Sequence, residues 1–418
     1  MSASRHMTRV FPLLLMVSLL LLAGAIPVLA QCTDTWTGAA GDNAWGTKTN
    51  WSLNLVPGAS DSACILGSGA AVSLNVNGGV ATLSLGTSDS LTIPTVTNAS
   101  PSLNIDGSSF SNSGQLILAP PVSFGSASLT FSSGGAVTLS GSGTIIMSAN
   151  SFGGDAIGGN ASLLNMSTIQ GAGSFDMTFN NSATGVINGN EPGFQLVIGR
   201  NQTQGGSSNT GVIEATNGGQ VAMGSLTLNN VGGTIQAVGT GSSVSFINEG
   251  QGGQTITGGT FTTSSGGVIN AENSTTIDGT NGNTITNKGT LALPEAGGGA
   301  NFQGTINNSG TIQLLPTANG VVLSIPGGQT LTLMGSGNLT MGDGTSNAYN
   351  NKGGFGGGTL VNQQTIQGTG TILNLTSFTN SGIINANIPA GTNNLLLQLG
   401  RAGSSTNTGT IEATNGGV

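Results

Sequence analysis

The chain has 418 residues, 73 of them Gly, with 5% charged and 4% aromatic residues and a formal net charge of −8. So little charge excludes an ordinary disordered linker, where high net charge accompanies few apolar residues. The 15 acidic residues all follow Ala30, where only Lys48, Arg200, Lys288, Lys352 and Arg401 oppose them, so that part carries −10 (15 acidic minus 5 basic). This argues against nucleic acid and against an anionic membrane surface as partners, since both are bound by clustered Lys and Arg.

Residues 1–30 read as a signal peptide. Arg5, His6 and Arg9 precede an apolar run from Phe11 to Ala25, and Val28-Leu29-Ala30 sets small residues at −3 and −1 before Gln31. The alternative is an uncleaved anchor, because the run is nearly long enough to span a bilayer. Lipidation at Cys32 is disfavoured by the bulk of Gln31. The expected location is secreted, extracellular or at the cell surface, with no membrane span in the mature chain. In that oxidising setting Cys32 and Cys64 are expected to form a disulfide, contributing roughly 3–4 kcal/mol in the chain-entropy model. A metal role for the pair lacks a nearby His or third Cys.

Residues 31–101 are expected to hold an N-terminal cap and the first coils. All three tryptophans stand here, in Trp36-Thr37-Gly38, Trp45-Gly46 and Asn50-Trp51, ahead of Pro57-Gly58 and Asp61 to Ile65. This spacing resembles the opening segment of bacterial β-helical exoproteins. A solenoid's first coil has an open end that large aromatics and a disulfide can cover. The functional alternative for Trp36, Trp45 and Trp51 is a carbohydrate-stacking site.

From Ser102 onward the chain repeats on two scales. Asn112-Ser113-Gly114 returns as Asn308-Ser309-Gly310, Leu139 to Gly143 as Leu333 to Gly337, Thr168 to Gly171 as Thr365 to Gly368, and Thr210 to Gly219 from Thr408. The offsets are 196, 194, 197 and 198 residues (by subtraction of these positions). Unit one is therefore 102–297 and unit two 298–418, ending within a repeat. The short repeat is a phrase, Asn-x-Gly followed by β-branched residues, as in Asn209-Thr210-Gly211-Val212-Ile213 and Asn308-Ser309-Gly310-Thr311-Ile312. Asn and Gly tolerate positive φ, so the phrase reads as a tight turn that launches a strand. The equivalent positions Ile213, Ile235, Ile269, Leu291 and Ile312 are 22, 34, 22 and 21 residues apart, and the long step implies an insertion loop or a displaced signpost.

A step near 22 suits one coil of a right-handed parallel β-helix, an all-β solenoid of two or three short strands per coil. Alternation in Leu331-Thr332-Leu333 and Leu395-Leu396-Leu397-Gln398-Leu399 sends one set of side chains inward and the polar set outward. Asn at the corners can stack in ladders from coil to coil.

The one His lies in the leader, and no Ser-His-Asp set, Cys-His pair or phosphate-cradling loop follows. Neither a cofactor nor an enzymatic activity is expected. A polysaccharide lyase or hydrolase remains the alternative, since such β-helix enzymes gather Asp with Arg or Lys on adjacent coils; the acids here are solitary. Glu249, Glu272 and Glu295 recur every 23 residues, as Glu191 and Glu214 do, and stacked carboxylates would favour Ca²⁺. The register opposes it, because Glu272 lies three residues past Ile269 but Glu295 four past Leu291. Gly153-Gly154-Asp155 has the start of a calcium-binding nonapeptide, without the array.

Together the Trp-rich segment and the repeats resemble the β-helical passenger and adhesin-like regions of bacterial exoproteins, including autotransporter-type surface proteins. The resemblance implies an exported or outer-membrane-displayed rod for adhesion or matrix contact, with glycans or host and matrix surface proteins as partners. A stalk presenting a further C-terminal domain is the third reading.

Overall fold

The computed structural model describes residues 31–95, 101–119, 126–148, 154–199, 206–247, 254–272, 275–294, 298–316, 320–342, 353–388, 394–399 and 405–418. The leader, residues 1–30, lies outside them. From Cys32 to Val418 the chain is one compact unit, an all-β solenoid of about 13 turns whose strands stack in parallel.

Three strands make one coil. Phe179–Asn181, Val186–Gly189 and Gln195–Ile198 follow one another around the axis. Each then pairs with its counterpart in the next coil, Ser207–Asn209, Val212–Ala215 and Gln220–Gly224. These three columns are called the first, second and third faces below. The period-2 pattern explains the stacking. In Thr168-Ile169-Gln170-Gly171 the second and fourth residues point inward, and Ile169 is followed in register by Ile187, Ile213 and Ile235. All four isoleucines are fully buried, each worth about 1.5–3 kcal/mol relative to exposure.

The Asn-x-Gly phrase does mark a corner, but not through positive φ. Asn209, Asn287 and Asn308 and the glycines two residues on all have ordinary φ. Each Asn ends a strand with its amide turned inward, where it bonds to the Asn one coil away. Asn165 Nδ2 donates to Asn181 Oδ1 at 2.7 Å, Asn181 to Asn209 at 2.8 Å, and Asn209 to Asn230 at 2.7 Å. Asn287 donates likewise to Asn308 at 2.7 Å, and Asn362 and Asn380 extend a further ladder to Asn407. Gly is required for space. A Cβ on Gly310 would lie 2.1 Å from the carbonyl oxygen of Gly289, one coil earlier.

The 34-residue step has a structural cause different from an insertion loop. Ile235 pairs with Phe261 on the second face, whereas Ile269 lies on the third face between Val244 and Leu291. The phrase has changed corners. Up to Asn209 it joins the first face to the second; from Asn287, still in unit one, onward it joins the second to the third.

The change extends to the whole duplicated block. Thr168–Gly171 is on the second face, yet its counterpart Thr365–Gly368 is on the third, stacked on Asn338–Met341 and under Ile383–Ala386. Gln195–Ile198 is on the third face, and its counterpart Leu395–Gln398 pairs with Gly370–Leu373 on the first. Unit two is therefore turned by one face, a third of a turn, relative to unit one. Following the second face from Thr168 by register takes eight coils, after which Thr365 stands one corner further on. At the usual strand spacing that is about 40 Å along the axis.

Candidate functional site

The first candidate region is the N-terminal cap. Cys32 and Cys64 are disulfide-bonded, with Cα atoms 5.7 Å apart. Trp45 and Trp51 meet edge to face at 4.7 Å, and Trp36 meets Trp51 in the same way at 5.2 Å. Trp51 Nε1 donates to the Trp45 carbonyl at 2.8 Å. All three indoles are buried, Trp36 being the most exposed at 8%, so they pack on one another rather than offering a face to a sugar. Thr47 Oγ1, the Ala44 amide and Asn50 Nδ2 donate to Asp42, and these bonds, Thr47 first, hold its carboxyl below the usual range.

Glu249 and Glu295 of the calcium triad lie outside the described residues. Glu272 is described, half-buried, directly after the inward Ala271 at the end of Val268–Ala271. Desolvation pushes its carboxyl up, against a hydrogen bond with Ser245. Among the described residues, no three His, Cys, Asp or Glu side chains gather closely enough to hold a metal ion.

Asp155 was singled out in the sequence only for its Gly-Gly neighbourhood. Its carboxylate is fully buried, accepting the Ala127 N–H at 3.3 Å and the Ser148 N–H at 2.9 Å. Burial raises its pKa to about 7 despite those two bonds. A titratable group near neutrality can mark an active site. Asp155, however, faces backbone amides with no solvent access, which makes it a structural tie.

Two shallow grooves follow the corner between the first and second faces. One, of about 450 Å³, is lined by Ser88, Asp89, Ser113, Gln115 and Ser142; the next, of about 380 Å³, shares Ser142 and adds Met166 and Thr184. Asp89 Oδ1 accepts the N–H groups of Gly69 and Ala70 at 3.0 and 2.8 Å, and its Oδ2 is buried without a partner. The walls are hydroxyl-rich and carry no aromatic platform.

The most regular outward feature lies on the second face of unit one. The third residue of each strand points out, which stacks Gln170, Asn188, Glu214 and Gln236 in one file. Neighbours fix their planes: Thr216 Oγ1 donates to Asn188 Oδ1 at 3.1 Å, and Gln236 Nε2 donates to Glu214 Oε2. Unit two repeats the file on the third face as Gln367, Asn385 and Glu412. There Thr414 Oγ1 donates to Asn385 Oδ1 at 2.9 Å, Asn385 Nδ2 to Glu412 Oε1 at 2.9 Å, and Asn387 Nδ2 to Gln367 Oε1 at 3.2 Å. Such a file offers amide and carboxylate groups spaced one coil apart. Gln170 and Glu214 lie in stretches whose return as Thr365 to Gly368 and from Thr408 the sequence shows, but that they share one outward file with Asn188 follows only from the strand register. The chain matches no protein family model, no curated protein and no solved structure.

Proposed function

We propose that the protein is a secreted or surface-displayed, non-catalytic rod whose outer faces mediate adhesion or extracellular matrix contact, in the manner of autotransporter-type and adhesin-like exoproteins. The observation behind this reading is the outward polar file, ordered by hydrogen bonds and carried coil after coil on flat parallel sheet. Affinity per contact on such a surface is small, and extended repetition raises it through avidity. The leader, the disulfide-bonded cap and the acidic balance fit an exported molecule.

The test is binding of the purified chain to immobilised polysaccharides and matrix proteins by biolayer interferometry, with reducing-sugar release followed in parallel. Saturable binding without product release supports the rod. Turnover of any polysaccharide favours the lyase or hydrolase reading instead, and absence of binding to every surface favours a stalk.

A further inference from the structure

The chain contains six Asn-Gly pairs, beginning at Asn77, Asn188, Asn217, Asn281, Asn319 and Asn415; Asn319 lies outside the described residues. Asn281-Gly282 forms the exposed tip of the corner between Thr276–Gly279 on the first face and Ile285–Asn287 on the second. Its φ values are 56° and 81°, and the Asn283 N–H donates to the Thr280 carbonyl at 3.0 Å. That combination defines a type I′ turn. Among the described residues nothing accepts the Gly282 N–H, and nothing lies within 4 Å of the place a Gly282 Cβ would take.

We infer that Asn281 is a site of spontaneous deamidation, converting in water to a mixture of aspartate and isoaspartate. The Gly282 nitrogen, its proton taken by hydroxide, attacks Asn281 Cγ. The new N–C bond closes a five-membered succinimide, and the side-chain nitrogen leaves as ammonia, taking a proton from water. Water then opens the ring at Cγ to give aspartate, or at the main-chain carbonyl to give isoaspartate. Ring closure requires Asn281 Cβ and the Gly282 nitrogen to eclipse about the Cα–C bond, at ψ of about −120°, the value of the first central residue in a type II′ turn. A type I′ turn reaches it by flipping one peptide plane, with the Asn283–Thr280 bond retained. Gly at the second central position accepts φ of either sign, so only Asn281 itself passes through an unfavourable conformation. Each event adds one negative charge at the corner, and the isoaspartyl product also lengthens the main chain by one carbon. Ile277 and Ile285 in the flanking strands are fully buried and hold the coil in place.

The other pairs show what restrains the reaction. Asn217-Gly218 makes the same turn, with φ of 55° and 76° and the Gly219 N–H on the Thr216 carbonyl at 2.9 Å. There, however, the Gly218 N–H donates to Ser242 Oγ at 2.9 Å and Asn217 Nδ2 to the Asn190 carbonyl at 3.2 Å. The same flip at Asn217 breaks a bond to the next coil. Asn188-Gly189 lies within a strand paired on both sides, and Asn77 Oδ1 accepts the Ser102 N–H at 3.1 Å. Asn415-Gly416 has the turn and, among the described residues, no acceptor for its Gly416 N–H, so it should follow the course of Asn281.

The experiment holds the purified full chain at pH 8 and 37 °C and samples it over weeks. Each sample is digested and mapped by mass spectrometry, with an isoaspartyl methyltransferase as the probe that counts isoaspartate. Asn281 should convert severalfold faster than Asn217, Asn188 and Asn77. In concentrated urea the four rates should converge, because the restraints that separate them belong to the folded coils. Ser242→Ala frees the Gly218 amide and should bring Asn217 up toward the rate of Asn281, with Asn281 itself unchanged. Gly282→Ala, whose Cβ hinders the attacking nitrogen, should slow conversion at Asn281 alone. An Asn281 that stays intact in the folded chain, or an Asn217 that converts as fast as Asn281 without any substitution, overturns the inference. Should Ser242→Ala prevent folding, the comparison of folded and urea-unfolded chains decides by itself.

Discussion

Asn308 Nδ2 donates to Gln364 Oε1 at 3.0 Å across 56 residues of chain. The coil between them contributes Gly335, which has no side chain to place there and whose added Cβ would fall 2.3 Å from the Asn308 carbonyl. Glutamine, one methylene longer than asparagine, reaches past that missing rung. In unit one the same geometry carries Ser167, whose hydroxyl bonds to the Gly143 carbonyl at 2.8 Å, and Asn112 Nδ2 is left buried without a partner. Gln364→Ser should remove this one bond while Asn308 Nδ2 keeps the Asn338 carbonyl at 3.0 Å. It also removes the buried, unpartnered Gln364 Nε2, so stability should fall by about 0.5–1.5 kcal/mol, the net worth of one hydrogen bond. Urea unfolding followed by circular dichroism measures it; a shift in midpoint at constant slope is the expected form, and an unchanged midpoint contradicts the account.

Within a complete ladder the amide is both donor and acceptor. Asn209 gives its N–H to Asn230 and receives those of Asn181 and of the Gly211 backbone. Asn209→Asp keeps the shape but removes the donor and buries a charge, which costs more than a missing hydrogen bond. The variant should be less stable than Asn209→Ala at pH 7.5 and recover at pH 4, where the carboxyl is protonated. A variant equally stable at both pH values would contradict the burial of this position.

Glycines at the corners should divide sharply by what surrounds them. Gly310→Ala drives a Cβ to 2.1 Å from the Gly289 carbonyl oxygen, whereas Gly135→Ala meets nothing within 4 Å at an ordinary φ. The first should cost several kcal/mol or prevent folding, as strain and overpacking do; the second should stay within about 0.5 kcal/mol, as surface changes do. Parallel thermal melts of the two variants make the comparison.

Much of the architecture was legible in the residues, and the misses have physical causes. Alternation around Ile169 and Ile213 reports burial on one side of a strand, so strands and core could be read directly. The Asn-x-Gly phrase located corners correctly, but its glycine is there because the preceding coil's backbone lies against it, a contact no local pattern displays. The turn by one face was hidden for a related reason. All three faces use the same strand grammar, so Thr168 and Thr365 look alike whichever face they occupy. Asp155 was invisible as a buried tie because its partners, the Ala127 and Ser148 amides, come from the residue before an earlier strand and from the chain just before Asp155.

The cap should fail first when its staple is cut. The disulfide closes a span of 32 residues around the buried tryptophans, and its loss should cost roughly 3–4 kcal/mol in the chain-entropy model. In a solenoid each coil touches only its neighbours, so the loss should stay near the end. Cys32→Ser with Cys64→Ser should speed hydrogen exchange at Trp36, Trp45 and Trp51 while leaving Ile213 and Ile235 protected. Uniform loss of protection along the chain would contradict a local cap.

Asp155 should make the rod more stable in mild acid than at neutral pH. Its folded pKa of about 7 stands above the ordinary carboxylate value of 3.8, so the native state holds the proton more tightly than the unfolded one. The contribution is complete below about 3.8 and is lost as pH rises through 7. Burial of the carboxylate is the cause, outweighing the bonds from Ala127 and Ser148. Glu272, also raised by desolvation, adds a change of the same sign. Melting temperature should fall between pH 4.5 and 7.5, and Asp155→Asn, which cannot ionise, should flatten that fall while retaining one oxygen for the Ala127 amide. An identical slope in the variant would place the titration elsewhere.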